Sequence, residues 1–139
     1  PQYTILNPVG VSSVTVDNIT GLIWVTNPND AGISGTYTWE GALTACETLN
    51  YAGYGPGAAN NGWRLPNLKE LESIVDYGLA AGARINGAYF LNTAVDFYWS
   101  STAYVPLTTK AFIGAFTGQG MTAMFKTSSY YIRCVRGGR

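Results

Sequence analysis

The sequence predicts an α+β domain, and three observations carry that prediction. Short apolar runs rich in Val, Tyr and Trp open and close the chain, two stretches of helical periodicity sit together between them, and the two patterns do not alternate as they do in βαβ proteins. Helices grouped between runs of strands pack on sheets that are mainly antiparallel. A chain of 139 residues fits one hydrophobic core, so residues 1–139 are expected to form a single domain.

The elements follow in order. Residues 3–16 alternate loosely and carry Val9, Val11, Val14 and Val16, which suits a strand pair broken at Pro8 and Gly10. Asp17-Asn18-Ile19-Thr20-Gly21 is a turn into Leu22-Ile23-Trp24-Val25, whose β-branched and aromatic side chains read as a buried strand. Residues 27–35, with Pro, Asp, Asn and Gly, read as a loop. Thr38 is a good N-cap for a first helix reaching about Leu49, because Ala42, Ala45, Cys46 and Leu49 fall at i, i+3, i+4 and i+7, with Cys46 on the buried face. A Gly/Asn/Ala loop over 51–62 ends at Trp63-Arg64-Leu65-Pro66. A second helix then starts with Asn67 and Glu70 at capping-box spacing, with Pro66 placed to staple against Leu71. Leu68, Leu71, Ile74 and Val75 form its apolar stripe, and Gly78 is expected to end it. Residues 78–92 are small and irregular, as functional loops are. From Phe97 onward the pattern is β, with strands expected around 98–101 and over 110–116, 120–125 and 130–135, and a hairpin at Gly118-Gln119-Gly120.

Composition narrows the class of protein. Charged residues are 12% of the chain, roughly half the ~25% usual for soluble proteins, while aromatics reach 14%. The surface must therefore be rich in Asn, Ser, Thr, Gly and Tyr, as in many secreted and cell-surface proteins. No apolar run approaches the ~18 residues of a membrane span and no signal segment opens the chain, so no direct membrane insertion is expected. The start at Pro1-Gln2 reads as a mature form or an excised domain of something longer. Two cysteines without any His or CxxC motif cannot complete a zinc site. A disulfide between Cys46 and Cys134 is the natural pairing, and two free buried thiols in a cytosolic protein are the alternative. A bridge closing so long a loop stabilises by roughly 4 kcal/mol and persists only in an oxidising compartment, which points to a secreted or cell-surface location.

Four ordered segments carry a family likeness: Gly21-Leu22-Ile23-Trp24, Gly62-Trp63-Arg64-Leu65-Pro66 with Lys69-Glu70-Leu71, Tyr98-Trp99-Ser100-Ser101-Thr102, and Tyr131-Ile132-Arg133-Cys134-Val135-Arg136-Gly137. From Asp17 to Gly138 the chain resembles the Lcl C-terminal domain family. The resemblance implies a C-type lectin-like fold with two helices and antiparallel sheets, in which a disulfide pins the first helix to the last strand, the places predicted for Cys46 and Cys134. For a collagen-stalked adhesin of that family it further implies a homotrimeric head that binds sulfated glycosaminoglycans.

The function classes separate on chemistry. Without His, without an unpaired Cys if the bridge forms, and with carboxylates on or beside helices where capping and solvation explain them, the chain is not expected to be an enzyme. No cofactor or metal is expected either. Calcium-dependent lectins cluster oxygen ligands in Glu-Pro-Asn or Gln-Pro-Asp loops with Trp-Asn-Asp, and none of these occurs. Charge placement is more informative than net charge. Residues 1–96 hold all eight acids and the three bases Arg64, Lys69 and Arg84, a net −5, whereas residues 97–139 hold five bases and no acid, a net +5. A basic face able to attract a polyanion is expected from the C-terminal sheet. Lys110, Lys126 and Arg139 are its freer members, while Arg133 and Arg136, beside Cys134, have either a ligand role or a structural one. Of the interleaved rings, Tyr104 and Tyr130 are expected at the surface, and Trp99, Phe112, Phe116 and Phe125 in the core. Trp24, Trp63 and Arg64 are read as structural.

The expected function is thus calcium-independent binding of sulfated polysaccharide or another polyanion by an extracellular adhesin head. Two readings compete with it: a ligand-binding variable protein of a diversity-generating system, and a purely structural trimerisation cap on a fibrous surface protein. Nucleic acid is not expected as a partner, because the chain is neutral.

Overall fold

A computed structural model describes residues 2–9, 12–55, 62–79, 82–117 and 119–137. The expected positions Gly10, Val11, Gly118 and Arg139 lie outside them. The first sheet contains β1 (Tyr3–Val9), β2 (Ser12–Asp17), β3 (Leu22–Val25) and β9 (Val135–Gly137), in the order β1-β2-β3-β9. The second contains β4 (Thr36–Tyr37), β5 (Phe97–Ala103), β6 (Lys110–Ala115), β7 (Gly120–Phe125) and β8 (Tyr130–Tyr131), in the order β4-β8-β5-β6-β7. Three helices join them: α1 (Pro28–Ala31), α2 (Trp39–Glu47) and α3 (Leu68–Ser73). The chain is α+β, as its sequence predicts. The sheets are antiparallel except where β5 and β8 meet in parallel at Tyr98 and Tyr131, which makes the second sheet mixed.

Local chemistry accounts for most boundaries. β1 runs on through Pro8, which an edge strand tolerates because its N–H side need not enter a ladder. Asp17 closes the next turn by accepting from the N–H groups of Ile19 and Thr20, and Gly21 takes the left-handed conformation (φ 77°) that starts β3. Where a plain loop is expected over 27–35 there is one turn of helix, α1. Asn27 accepts from the Asn29 N–H, Pro28 occupies the first turn, and Gly32 closes the end at φ 71°. α2 is capped by Thr38 and buries Ala42 and Cys46. α3 has the full capping box: the Asn67 side chain accepts from the Glu70 N–H, and Glu70 accepts from the Asn67 N–H, both at 2.9 Å. It stops at Ser73, well short of Gly78, because the Asp76 N–H is drawn to the carbonyl of Arg84 at 2.6 Å.

The expected strand over 130–135 is two strands in different sheets. Tyr130 and Tyr131 pair in the second sheet, Val135 to Gly137 in the first, and the buried Ile132-Arg133-Cys134 crosses between them. Cys134 therefore lies in this crossover and not in the last strand. Its disulfide to Cys46, with Cα atoms 5.5 Å apart, ties α2 to the place where the chain changes sheets.

β5 is buried on both sides. Trp99 joins a core with Cys46, Trp63, Ile113 and Ile132, while Tyr98 joins a second with Trp24, Leu71, Phe90 and Phe116. α3 approaches β6 so closely that a Cβ on Gly114 would lie 2.8 Å from the Leu71 side chain. That face of the second sheet is thereby covered, while at the end where β6 begins and β7 stops Thr109 and Phe125 are exposed.

Candidate functional site

The five bases after Asp96 do not form one face. Arg133 is fully buried, and its guanidinium donates to the carbonyls of Val25 and Thr26 (2.8 and 2.9 Å), to the carbonyl of Leu91 (2.9 Å) and to the Thr93 hydroxyl (2.8 Å). Of the two roles left open by the sequence, these bonds are those of the structural one: this arginine pins the loop around Leu91 to β3. Desolvation pulls its pKa down to about 10, so it stays charged at neutral pH. Arg136 is 6% exposed, with its guanidinium 3.5 Å from the centre of the Tyr54 ring, and is likewise part of the packing. Both arginines sit beside Cys134 in the segment that the crossover buries.

Lys110 and Lys126 are placed differently. Lys110 opens β6 opposite Phe125, and its ammonium lies 4.7 Å over that ring. Lys126 follows Phe125, and its ammonium lies 4.3 Å over the ring of Trp39, the first residue of α2. The Lys126 N–H donates to the Thr109 carbonyl at 2.8 Å, and the Lys126 carbonyl accepts from the Trp39 N–H at 3.0 Å, so both lysines belong to one end of the second sheet. Their side chains leave on different sides of it. Ala111 faces the core that includes Trp99, so Lys110 and Phe112 face away from that core, whereas Trp39 packs against it. Among the described residues neither ammonium has a carboxylate partner.

The rings need correction too. Phe125, expected in the core, is 54% exposed under Lys110, and Phe112 is half-buried with Tyr104 edge-on at 5.4 Å. Trp99 and Phe116 are buried as expected, as are Trp24 and Trp63. Tyr130, expected at the surface, is half-buried between Phe97 (5.6 Å) and Trp99 (5.1 Å), at the margin of the core. Tyr104 does reach the candidate site, where its N–H donates to the Lys110 carbonyl at 3.0 Å. Sequence reading passed over Trp39. At i−3 from Ala42 and i−7 from Cys46 it falls in phase with the helix's apolar stripe, and that spacing was the available signal.

Several of the carboxylates have local duties. Glu70 completes the α3 cap and takes a bidentate pair from Arg64 at 2.5 and 2.7 Å, and Asp17 holds its turn. Among the described residues no group of three His, Cys, Asp or Glu side chains is placed to hold a metal. A shallow cavity of about 430 Å³ lies against Ile85, Phe90, Leu91 and Thr93, whose hydroxyl is already bonded to Arg133. No helix among the described residues is long and apolar enough to cross a membrane.

What the lysine end of the sheet can do is pair anionic groups with two ammoniums while offering the faces and edges of Phe125, Tyr104 and Phe112 to apolar C–H surface. Compared with models of protein families, residues 13–136 match the Lcl C-terminal domain. No curated protein matches the chain.

Proposed function

The chain belongs to the Lcl C-terminal domain family, and from that premise we propose that it is an extracellular, non-catalytic head that binds sulfated polysaccharide without calcium. One observation carries the reading: Lys110 and Lys126, each seated on an aromatic ring and neither paired with a carboxylate among the described residues, come to the same end of the second sheet. Ammonium groups pair with sulfate as charge-assisted donors, and the rings beside them take the apolar faces of the sugars. The ligand set is Lys110, Lys126 and Tyr104, joined by Phe125 and Trp39. The disulfide supports the extracellular assignment, because such a bridge persists in an oxidising compartment.

Two single ammonium contacts are individually weak and are screened over ~8 Å at physiological salt. A homotrimer, which the family likeness implies, would present three such ends to one polysaccharide and gain through effective concentration. A glycan array holding sulfated and neutral polysaccharides, read with calcium and with a chelator, tests the proposal. Binding to sulfated chains alone, unchanged by the chelator, is the expected result. Binding to neutral glycans, or loss of binding on chelation, contradicts it, and no binding to any glycan favours the structural cap.

A further inference from the structure

The hairpin between β5 and β6 turns Val105-Pro106-Leu107 outward. Val105 is 86% exposed and Leu107 50%, and Phe125, on the neighbouring β7, is 54% exposed. The backbone that carries them is held in place. The Leu107 N–H donates to the Tyr104 carbonyl, the Lys110 N–H to the Leu107 carbonyl and the Lys126 N–H to the Thr109 carbonyl, at 3.2, 3.0 and 2.8 Å. The cost of ordering the tip is therefore met by folding, before any partner arrives.

We propose that this tip docks on an anionic lipid surface. The side chains at the tip are of the kinds a bilayer interface takes. Val105 and Leu107 are the exposed aliphatic side chains for the boundary between headgroups and acyl chains, Phe125 and Tyr104 are the rings for the interface where aromatics gather, and the Lys110 and Lys126 ammoniums, on either side of the sheet, pair with lipid phosphate. Charge selects the occupant. Both lysines beside the tip lack a carboxylate partner among the described residues, and the sequence holds no acid after Asp96. Such a flank suits a surface that is negative above and apolar below. The backbone N–H groups of Tyr104, Leu107 and Lys110 are all bonded within the hairpin, so the tip offers side chains and no strand edge for a protein segment to extend. The hydropathy of the sequence detects only spanning segments and is blind to a contact of this depth. The inference rests on the aliphatic tip, which the glycan reading does not use, so the two can fail separately.

The test is co-sedimentation of the full chain with phosphatidylcholine vesicles, with and without phosphatidylserine, for the parent and for the double variant Val105→Ser with Leu107→Ser. The parent is expected to sediment with the anionic vesicles and not the neutral ones. The double variant should lose roughly tenfold or more in partitioning while keeping its melting temperature, its mass by light scattering and its retention on heparin. Absence of the parent from the anionic pellet, or equal sedimentation of the variant, overturns the proposal. A change of mass in the double variant also overturns it, by making the tip a contact between copies of the chain.

Discussion

Arg133 brings a positive charge into the interior with no carboxylate to meet it, and four neutral oxygens together with the Phe90 ring at 5.7 Å take the place of a counter-ion. Its planar fork reaches β3 on one side and the 91–93 loop on the other, a span that one lysine ammonium does not cover. Arg133→Met should therefore leave the carbonyls of Val25, Thr26 and Leu91 short of donors and lower the unfolding free energy by about 3 kcal/mol or more, measured by urea denaturation. Arg133→Lys should recover little of that loss. A methionine variant as stable as the parent contradicts the structural role. The sequence left Arg133 and Arg136 open between ligand and scaffold because both stand beside Cys134, and burial there is set by where the chain crosses between sheets. No local pattern records that crossing. Lys110 and Lys126 were legible because an acid-free stretch is a property of sequence alone, whereas the rings beneath them, Phe125 and Trp39, are fixed by pairing and helix placement.

At the scale of elements, signals confined to a few residues were readable. The Thr38 cap, the Ala42/Cys46 stripe of α2 and the Asn67/Glu70 box all depend on neighbours within one or two turns. The early stop of α3 and the division of residues 130–135 were not, since each depends on a partner outside the local pattern: Arg84, across the following loop, for one, and the distant β4 and β3 for the other. The α3 box also carries a pH dependence. Burial acts to raise the Glu70 pKa, but the hydrogen bonds from Arg64 and the Asn67 N–H outweigh it and hold the carboxyl below its usual 4.5. A carboxyl whose folded pKa is depressed contributes stability that is fully present above the unfolded pKa and is lost as pH falls through the folded one. Glu70→Gln should thus cost about 1 kcal/mol at neutral pH, and the difference from the parent should shrink below pH 4.5. Urea unfolding at the two pH values measures it, and a difference that does not narrow in acid contradicts the account.

The whole molecule divides its charges between two tasks. Arg64, Arg133 and Arg136 are used in holding the fold, which leaves the half-buried Lys110 and Lys126 as the contribution of the C-terminal sheet among the described residues. The expected broad basic face contracts to one end of that sheet, and this smaller site makes the central claim sharper. Stacking is worth ~0.5–1 kcal/mol over an exposed ring such as Phe125 and somewhat more over the half-buried Trp39, so replacing both lysines should disturb the fold only modestly. Heparin affinity chromatography of the parent and of the double variant Lys110→Glu with Lys126→Glu, with melting temperatures compared in parallel, is the most direct measurement. The account predicts that the parent is retained and elutes with salt, while the double variant passes through unretained with a nearly unchanged melting temperature. Elution of the folded double variant at the parent's salt concentration would contradict it.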